Sequence, residues 1–381
     1  MRYYIIAGEH SGDMHGAGLI EQIKEIDPEA HFWACGGDAM QQAMGRSCAV
    51  NCTEITCMGL DFLKKMYPLW RTLRCCKTEL VAYRPDAVIL IDYSGFNLKL
   101  GSFAQKQGFW VYYYIPPKIW AHGAKRIEKI KTTVKKIGSI LPFEVAYYQA
   151  NGYNAIAYVG NPLVQKVAMH SAQPTFRTDN RLDHRPIIAL LPGSRLEEVQ
   201  CILPHMATQV HFFPSYQFVV AGVHHIPKAL YDTLAPLPIH TLYDQTYSLL
   251  AAAQVGIIAS GSASLEAALF DLPQVVVYKT SFLTYWWYKK IATVKHISLV
   301  NLLAGTTVVP ELIQDQLNPQ TIRKAVQRLL EGTDVGVQKQ AYGQIRALLG
   351  TKHAAEETAQ MIVKDLKIQS HAPSNEPNQS G

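Results

Sequence analysis

The sequence predicts an α/β protein of two doubly wound, parallel-sheet domains, and three observations predict it. The chain has 381 residues, too many for one average domain and enough for two cores. Its short apolar runs show no alternation of polarity and are separated by helical stretches, the pattern of a parallel sheet covered on both faces. That pattern lapses once, between residues 170 and 186, and then begins again.

The first half reads "YYIIAG", a helix from about Asp13, "HFWACGG", "DAVILID", a helix from about Leu98, and "FWVYYYI". The lapse, "HSAQPTFRTDNRLDHRP", is polar, charged and proline-flanked, and is expected to link the domains. The second half reads "PIIALLPGSR", "QFVVAG", "IHTLYD", "VGIIASGSASLEAALF" and "QVVVYK", again strand and helix in turn. Two Rossmann-like domains, over 1–170 and 186–340, are therefore expected to face each other across a cleft. Helical stretches follow Pro319, and the tail over 369–381 lacks large apolar side chains, so it is expected to be disordered.

Apolar residues make up 48% and charged residues 17%, which fits a globular protein and excludes a fibrous or disordered one. The net charge of +6 favours an anionic partner: nucleotide, nucleic acid and an acidic membrane surface all fit. Seven cysteines lack the paired spacings of zinc ligands or a redox dithiol, so reduced thiols in a cytoplasmic protein are expected. The apolar run of "MRYYIIAG" stops at Gly8, too soon for a signal peptide, and no stretch approaches the roughly 20 apolar residues of a bilayer span.

Three turns concentrate the chemistry. "IIAGEHSGDMHGAGLI" puts Glu9, His10, Ser11, Gly12 and Asp13 at a strand-to-helix turn, where parallel sheets meet their ligands. Asp13 is expected to cap the helix start, leaving the Ser11 and Gly12 amides for an anion. Residues so crowded into one turn rarely orient as a Ser-His-Asp triad or a metal site. In "LLPGSRLEEV", Gly193, Ser194 and Arg195 end a strand and open a helix, a phosphate-binding arrangement or an ordinary turn with a solvated arginine. "IIASGSASLEAAL" repeats the device with Ser260, Gly261 and Ser262, and places Glu266 one turn into the helix to meet ribose hydroxyls. Neither turn has the P-loop lysine or a G-x-G-x-x-G, which leaves ATPase and NAD readings weak.

Asp92, in "PDAVILIDYSGFN", ends an apolar strand and reads equally as a general base or as a turn aspartate, with Glu9 nearby in a parallel sheet. "MGLDFLKKMYPLWRTLRCC" mixes Phe62, Leu63, Met66, Leu69, Trp70 and Leu73 with basic residues, which suits a membrane interface or a buried amphipathic helix. "FLTYWWYKK" and the basic stretch from Lys125 to Lys136 add to this character, but no RNP or KH motif accompanies them.

Taken in order, "AGEHSGDMHGAGLI", "GGDAM", "MGL", "PDAVILIDYSGFN", "YYIPPKIWAH", "LPFEVAYY", "VGNPLV", "LLPGSRLEEV", "ASGSASLEAAL" and "SLVNLLAG…VPELIQ" resemble the lipid-A-disaccharide synthases nearly end to end. The resemblance implies an inverting glycosyltransferase of the two-Rossmann-domain GT-B type, with no metal and no cofactor. It would move 2,3-diacylglucosamine from UDP to the 6-hydroxyl of 2,3-diacylglucosamine 1-phosphate. The resemblance makes Asp92 the base, with Glu9 its neighbour and alternative. It gives UDP to Gly193, Ser194, Arg195, Ser260, Gly261, Ser262, Glu266 and Asn301, with Glu311 and Gln314 as weaker candidates. It gives the acceptor to His10, Ser11, Gly12, Asp13, Asn97 and Trp120. Helices from about 340 to 368 would cross back onto the first domain, and the acylated substrates would hold the enzyme peripherally on the inner face of the inner membrane.

Three departures stand out. Ser94-Gly95-Phe96-Asn97 replaces a common "PDFN", Trp120-Ala121-His122 replaces "WAW", and Val300 replaces the proline of "SLPN". The rival readings are another UDP-sugar enzyme of the same architecture, such as a UDP-N-acetylglucosamine 2-epimerase, and a non-catalytic nucleotide- or RNA-binding protein.

Overall fold

The structure, a computed structural model, describes residues 1–51, 62–171, 173–281, 285 and 295–370, with the backbone alone at 51, 62–68 and 370. The chain divides into two compact units, Met1–Pro162 with Lys352–Gly381, and Leu163–Thr351. The division at Pro162/Leu163 assigns the polar stretch 170–186 to the second unit.

The first unit runs β1 (Arg2–Ala7), α1 (His10–Ile26), β2 (His31–Gly36), α2 (Asp38–Met44), β3 (Val50–Asn51), α3 (Phe62–Tyr83), β4 (Ala87–Ile91), α4 (Ser94–Lys106), β5 (Trp110–Tyr114), α5 (Arg126–Thr133), β6 (Lys136–Ser139), α6 (Pro142–Ala150) and β7 (Ile156–Tyr158). Helix α7 (Pro162–Ala168) begins where the units divide. The second unit continues with α8 (Phe176–Asp179), β8 (Ile187–Leu191), α9 (Leu196–Ala207), β9 (Gln217–Gly222), α10 (Lys228–Asp232), β10 (Ile239–Tyr243), α11 (Thr246–Ala252), β11 (Val255–Ala259), α12 (Ser262–Leu269), β12 (Gln274–Tyr278), α13 (Leu299–Ala304), β13 (Glu311–Ile313), α14 (Pro319–Leu330) and α15 (Val335–Leu349). Helix α16 (Ala354–Ser370) belongs to the first unit and lies along α1.

All strand pairs are parallel, in the orders β3-β2-β1-β4-β5-β6-β7 and β10-β9-β8-β11-β12-β13. The continuous apolar runs of the sequence are the cause. Tyr4, Ile6, Val88, Leu90, Val111 and Tyr113 face one layer with Cys76, Leu80, Leu100 and Ile127. Tyr3, Ile5, Ile89, Ile91, Tyr112 and Tyr114 face the other, with Leu19 and Ile23 of α1 and Ile362 and Leu366 of α16. Both faces are apolar because alternate residues of each strand point to opposite helix layers. Asp365 fixes α16 to the sheet, accepting from Tyr112 Oη at 2.7 Å and Lys136 Nζ at 2.6 Å.

Each order reverses once, between β1 and β4 and between β8 and β11. Loops leaving such a pair diverge to opposite sides of the sheet and open a crevice at the strands' carboxyl ends. The three turns singled out in the sequence lie at these two reversals.

Candidate active site

At the first reversal, Ala7 of β1 pairs with Ile91 of β4, so Glu9 and Asp92 leave adjacent strand ends. Glu9 is the extended N-cap of α1. Asp92 and Tyr93 both have left-handed backbone, with φ of 46° and 42°, and Ile115 after the neighbouring β5 has φ of 60°. Such conformations cost of order 1–3 kcal/mol each and persist only where surroundings impose them. Here the surroundings are visible. Asn97 Nδ2 donates to the carbonyls of Ile91 and Asp92 at 2.9 and 2.8 Å. The Tyr113 hydroxyl donates to the Asp92 carbonyl at 2.6 Å, and the Asp92 amide donates to the Tyr114 carbonyl. Gly8 makes room for this bend, because a Cβ there would lie 2.2 Å from the Tyr93 ring.

These contacts revise several expected roles. Asn97 is buried and its Nδ2 is engaged by the bend, which makes it a support for Asp92. Asp13 is buried too, but it does not cap its own helix. Its carboxylate accepts from the amides of Gly37, Ala39 and Met40 at 2.7 to 3.1 Å, which closes the start of α2. His10 and Ser11 are exposed in the first turn of α1, and Gly12 packs beside Ala7 and Ile91.

Trp120 is buried and donates from Nε1 to Glu144 at 2.8 Å. Glu144, which the sequence reading passed over, is fully enclosed and also accepts from Ser139. Burial raises its carboxyl to about 7, and Asp92 adds to the rise while Ser139, Trp120 and Lys118 oppose it. The signal for it was a charged residue inside the otherwise apolar "LPFEVAYY" directly after a strand.

At the second reversal, β8 ends at Leu191 and β11 at Ala259, with Ile258 paired to Leu191. Gly193 takes φ of 112°, and a Cβ there would meet Glu198 at 2.5 Å. Glu198 reaches back into the turn, accepting from the Ser194 amide at 3.3 Å and from Arg195 Nη1 at 3.2 Å. The donors that would meet a phosphate are thus shown to gather around a carboxylate. Gly261 and Ser262 are exposed at the start of α12, while Ser260 Oγ donates to the Ile297 carbonyl at 2.8 Å.

A family model described as "Lipid-A-disaccharide synthetase" matches residues 3–365. The lipid-A-disaccharide synthase of Trichlorobacter lovleyi is 36% identical over 95% of this chain and 97% of its own. Lipid-A-disaccharide synthase 1 of Legionella pneumophila strain Lens is 37% identical over 83% of this chain and 85% of its own. The chain belongs to the lipid-A-disaccharide synthase family. Like its family, it is a glycosyltransferase of lipid A biosynthesis. Its fold is shared with the UDP-GlcNAc 2-epimerase of Neisseria meningitidis, solved bound to UDP-GlcNAc, at a TM-score of 0.67 and 13% identity, covering 96% of this chain and 100% of that one. A glycotransferase of kitacinnamycin gives 0.65 at 13% identity, covering 96% and 99%. At such identity these likenesses speak for the fold alone, and the epimerase reading loses to the family match.

Within this synthase family member, the remaining donor-site candidates divide. Glu266 is half-buried and accepts from Tyr247 Oη at 2.9 Å; burial raises its carboxyl, opposed by Tyr247 and Lys166. Glu311, Asn301 and Gln314 are instead joined to backbone. Glu311 accepts from the Ile297 and Ser298 amides, Ser298 Oγ and Asn301 Nδ2, holding the start of α13. Asn301 is buried, donates to the Val309 carbonyl and accepts from the Val308 and Val309 amides at 2.7 and 2.9 Å. Gln314 pairs both side-chain groups with the Thr280 backbone, at 3.0 and 3.1 Å, and so extends the β12 edge. These three shape the loop beneath the turn; their polar groups are turned inward.

Of the synthase's expected membrane face, the side chains of Phe62, Leu63 and Met66 lie outside the described residues, as does most of Phe282–Lys290. Leu69 and Leu73 are partly buried against the first core, as the amphipathic-helix reading of this stretch has it. Trp70 is 58% exposed, with Arg74 over its ring. Among the described residues no helix is long and apolar enough to cross a membrane, and no three His, Cys, Asp or Glu side chains gather as a metal site. The tail over 371–381 lies outside the described residues.

Proposed function

We propose that this synthase moves 2,3-diacylglucosamine from UDP onto the 6-hydroxyl of 2,3-diacylglucosamine 1-phosphate, with inversion at the anomeric carbon. Asp92 takes the hydroxyl proton as the oxygen attacks C1, and the bond from C1 to the UDP oxygen breaks. The observation that carries this reading is the pinned left-handed bend at Asp92, which Asn97 and Tyr113 hold at the carboxyl end of β4. Strain maintained at that cost, at the sheet's reversal, marks a carboxylate held for chemistry. Glu9 leaves the adjacent strand end and is the second candidate for the proton.

The second unit is proposed to hold UDP. Diphosphate charge replaces Glu198 at the Ser194 amide and Arg195 guanidinium, and the exposed amides of Gly261 and Ser262 serve the same group. Glu266 meets the ribose. His10, Ser11 and Gly12 line the acceptor's side of the first reversal. The acylated substrates place the work at a membrane, and Trp70 with the basic residues of α3 is proposed to touch the anionic inner face of the inner membrane peripherally.

The test is product analysis. Purified protein in detergent micelles is incubated with UDP-2,3-diacylglucosamine and radiolabelled 2,3-diacylglucosamine 1-phosphate. The expected product is a β-1′,6-linked disaccharide 1-phosphate, formed one for one with UDP. An α linkage, or UDP release without disaccharide, contradicts the reading.

A further inference from the structure

The first reversal carries more positive charge than a proton transfer requires. After β5 the chain runs through Lys118 and His122 to Arg126 at the start of α5. Arg126 Nη1 donates to Ser94 Oγ at 3.0 Å, so the guanidinium is tied to the helix that follows Asp92. Gly123, at φ of 80°, lets the chain fold back under it: a Cβ there would lie 3.2 Å from Arg126 Nε. Lys118 and His122 are exposed.

These groups share one electrostatic neighbourhood. Partial burial of the ring, then Arg126 and Lys118, hold the His122 imidazole below its ordinary range. Asp92 and Arg126 both act on the Tyr113 hydroxyl, and Lys118 and Asp92 both act on Glu144. Three cationic or protonatable groups gathered beside one half-buried carboxylate, Asp92, repel each other until an anion joins them. A solvated basic face would leave its arginine loose, whereas this one is tethered to the loop of the proposed base.

We propose that Lys118, His122 and Arg126 form the seat of a phosphomonoester, the 1-phosphate of the acceptor sugar. The assignment to the acceptor depends on the function proposed above; the seat itself does not. A phosphomonoester brings nearly two negative charges and three acceptor oxygens, and an arginine beside an imidazole supplies the matching donors. His122 gives this seat an imidazole beside the guanidinium of Arg126.

Two arms test it. In the first, turnover with the acceptor 1-phosphate is compared with turnover of the same lipid bearing a 1-hydroxyl, in wild type, Arg126→Gln and His122→Ala. The expected result is an acceptor KM raised about tenfold to a hundredfold in Arg126→Gln for the phosphorylated lipid only, with less discrimination in His122→Ala. Equal effects on both acceptors, or none, overturn the proposal. In the second arm, the His122 imidazole is followed by NMR as glucosamine 1-phosphate or glucosamine is added. Only the phosphate should raise its titration midpoint, and not in Arg126→Gln; an unmoved His122 overturns the proposal. Should wild type form no disaccharide while the phosphate still moves His122, the seat stands and the acceptor reading falls.

Discussion

Single residues at the first reversal divide into the proposed base, Asp92, and several that hold it. Asn97 donates to both carbonyls of the left-handed bend and shares that of Asp92 with the Tyr113 hydroxyl. Asn97→Ala should cost on the order of 1–3 kcal/mol in urea unfolding and lower kcat more than it raises KM, because the bend at Asp92 relaxes. An unchanged kcat would separate Asn97 from the chemistry. Glu144 makes a pH prediction. Its folded carboxyl, at about 7, holds a proton that the unfolded one releases near 4.5. The folded state therefore binds more protons between those values, and that contribution is complete at low pH and lost as pH rises. Glu144→Gln should flatten this decline between about pH 5 and about pH 8, read as the stability difference from wild type. The place of Asp92 at a strand end was legible because an acid ending an apolar strand is visible in a short window; its role as base came from the family resemblance and is proposed. The cap expected of Asp13 and the unnoticed Glu144 were not legible, nor was the support Asn97 gives the bend, since their partners Gly37, Trp120 and Asp92 are assigned only once helices and strands are packed.

Elements tell the same story at longer range. The alternation of buried strands and helices made both sheets legible, and the glycine- and serine-rich turns marked the strand ends at which each order reverses. The polar residues of "SLVNLLAG" and "VPELIQ" look like ligand donors in the sequence, and their local structural contacts are visible only in the fold. Glu311 in β13 instead caps α13 across a loop, taking four donors onto one carboxylate. Removing it strands buried amides. Glu311→Ala should therefore lower stability by on the order of 2–4 kcal/mol, with UDP affinity falling only as far as α13 shifts. A variant of full stability that has lost UDP binding would return Glu311 to the ligand.

For the whole molecule, the proposed function requires contact with a membrane without a spanning helix among the described residues. Trp70 is an exposed aromatic of α3 among the described residues, beside Arg71 and Arg74. In flotation, wild type should rise with anionic vesicles and stay down with neutral ones, and Trp70→Ala with Arg74→Gln should weaken the first. Equal flotation with both vesicle types would count against an electrostatic contact. The charge of the whole chain, +6, favours the anionic surface but does not locate the patch.

The claim on which the rest depends is that Asp92 carries the proton. The most direct measurement is the single-turnover rate of Asp92→Asn beside wild type, with UDP affinity measured calorimetrically on both. With Asp92 as the base, the rate should fall by about a hundredfold to ten-thousandfold at unchanged UDP affinity, the range a positioned general base supplies. A rate within a fewfold of wild type would contradict it and move the proton to Glu9.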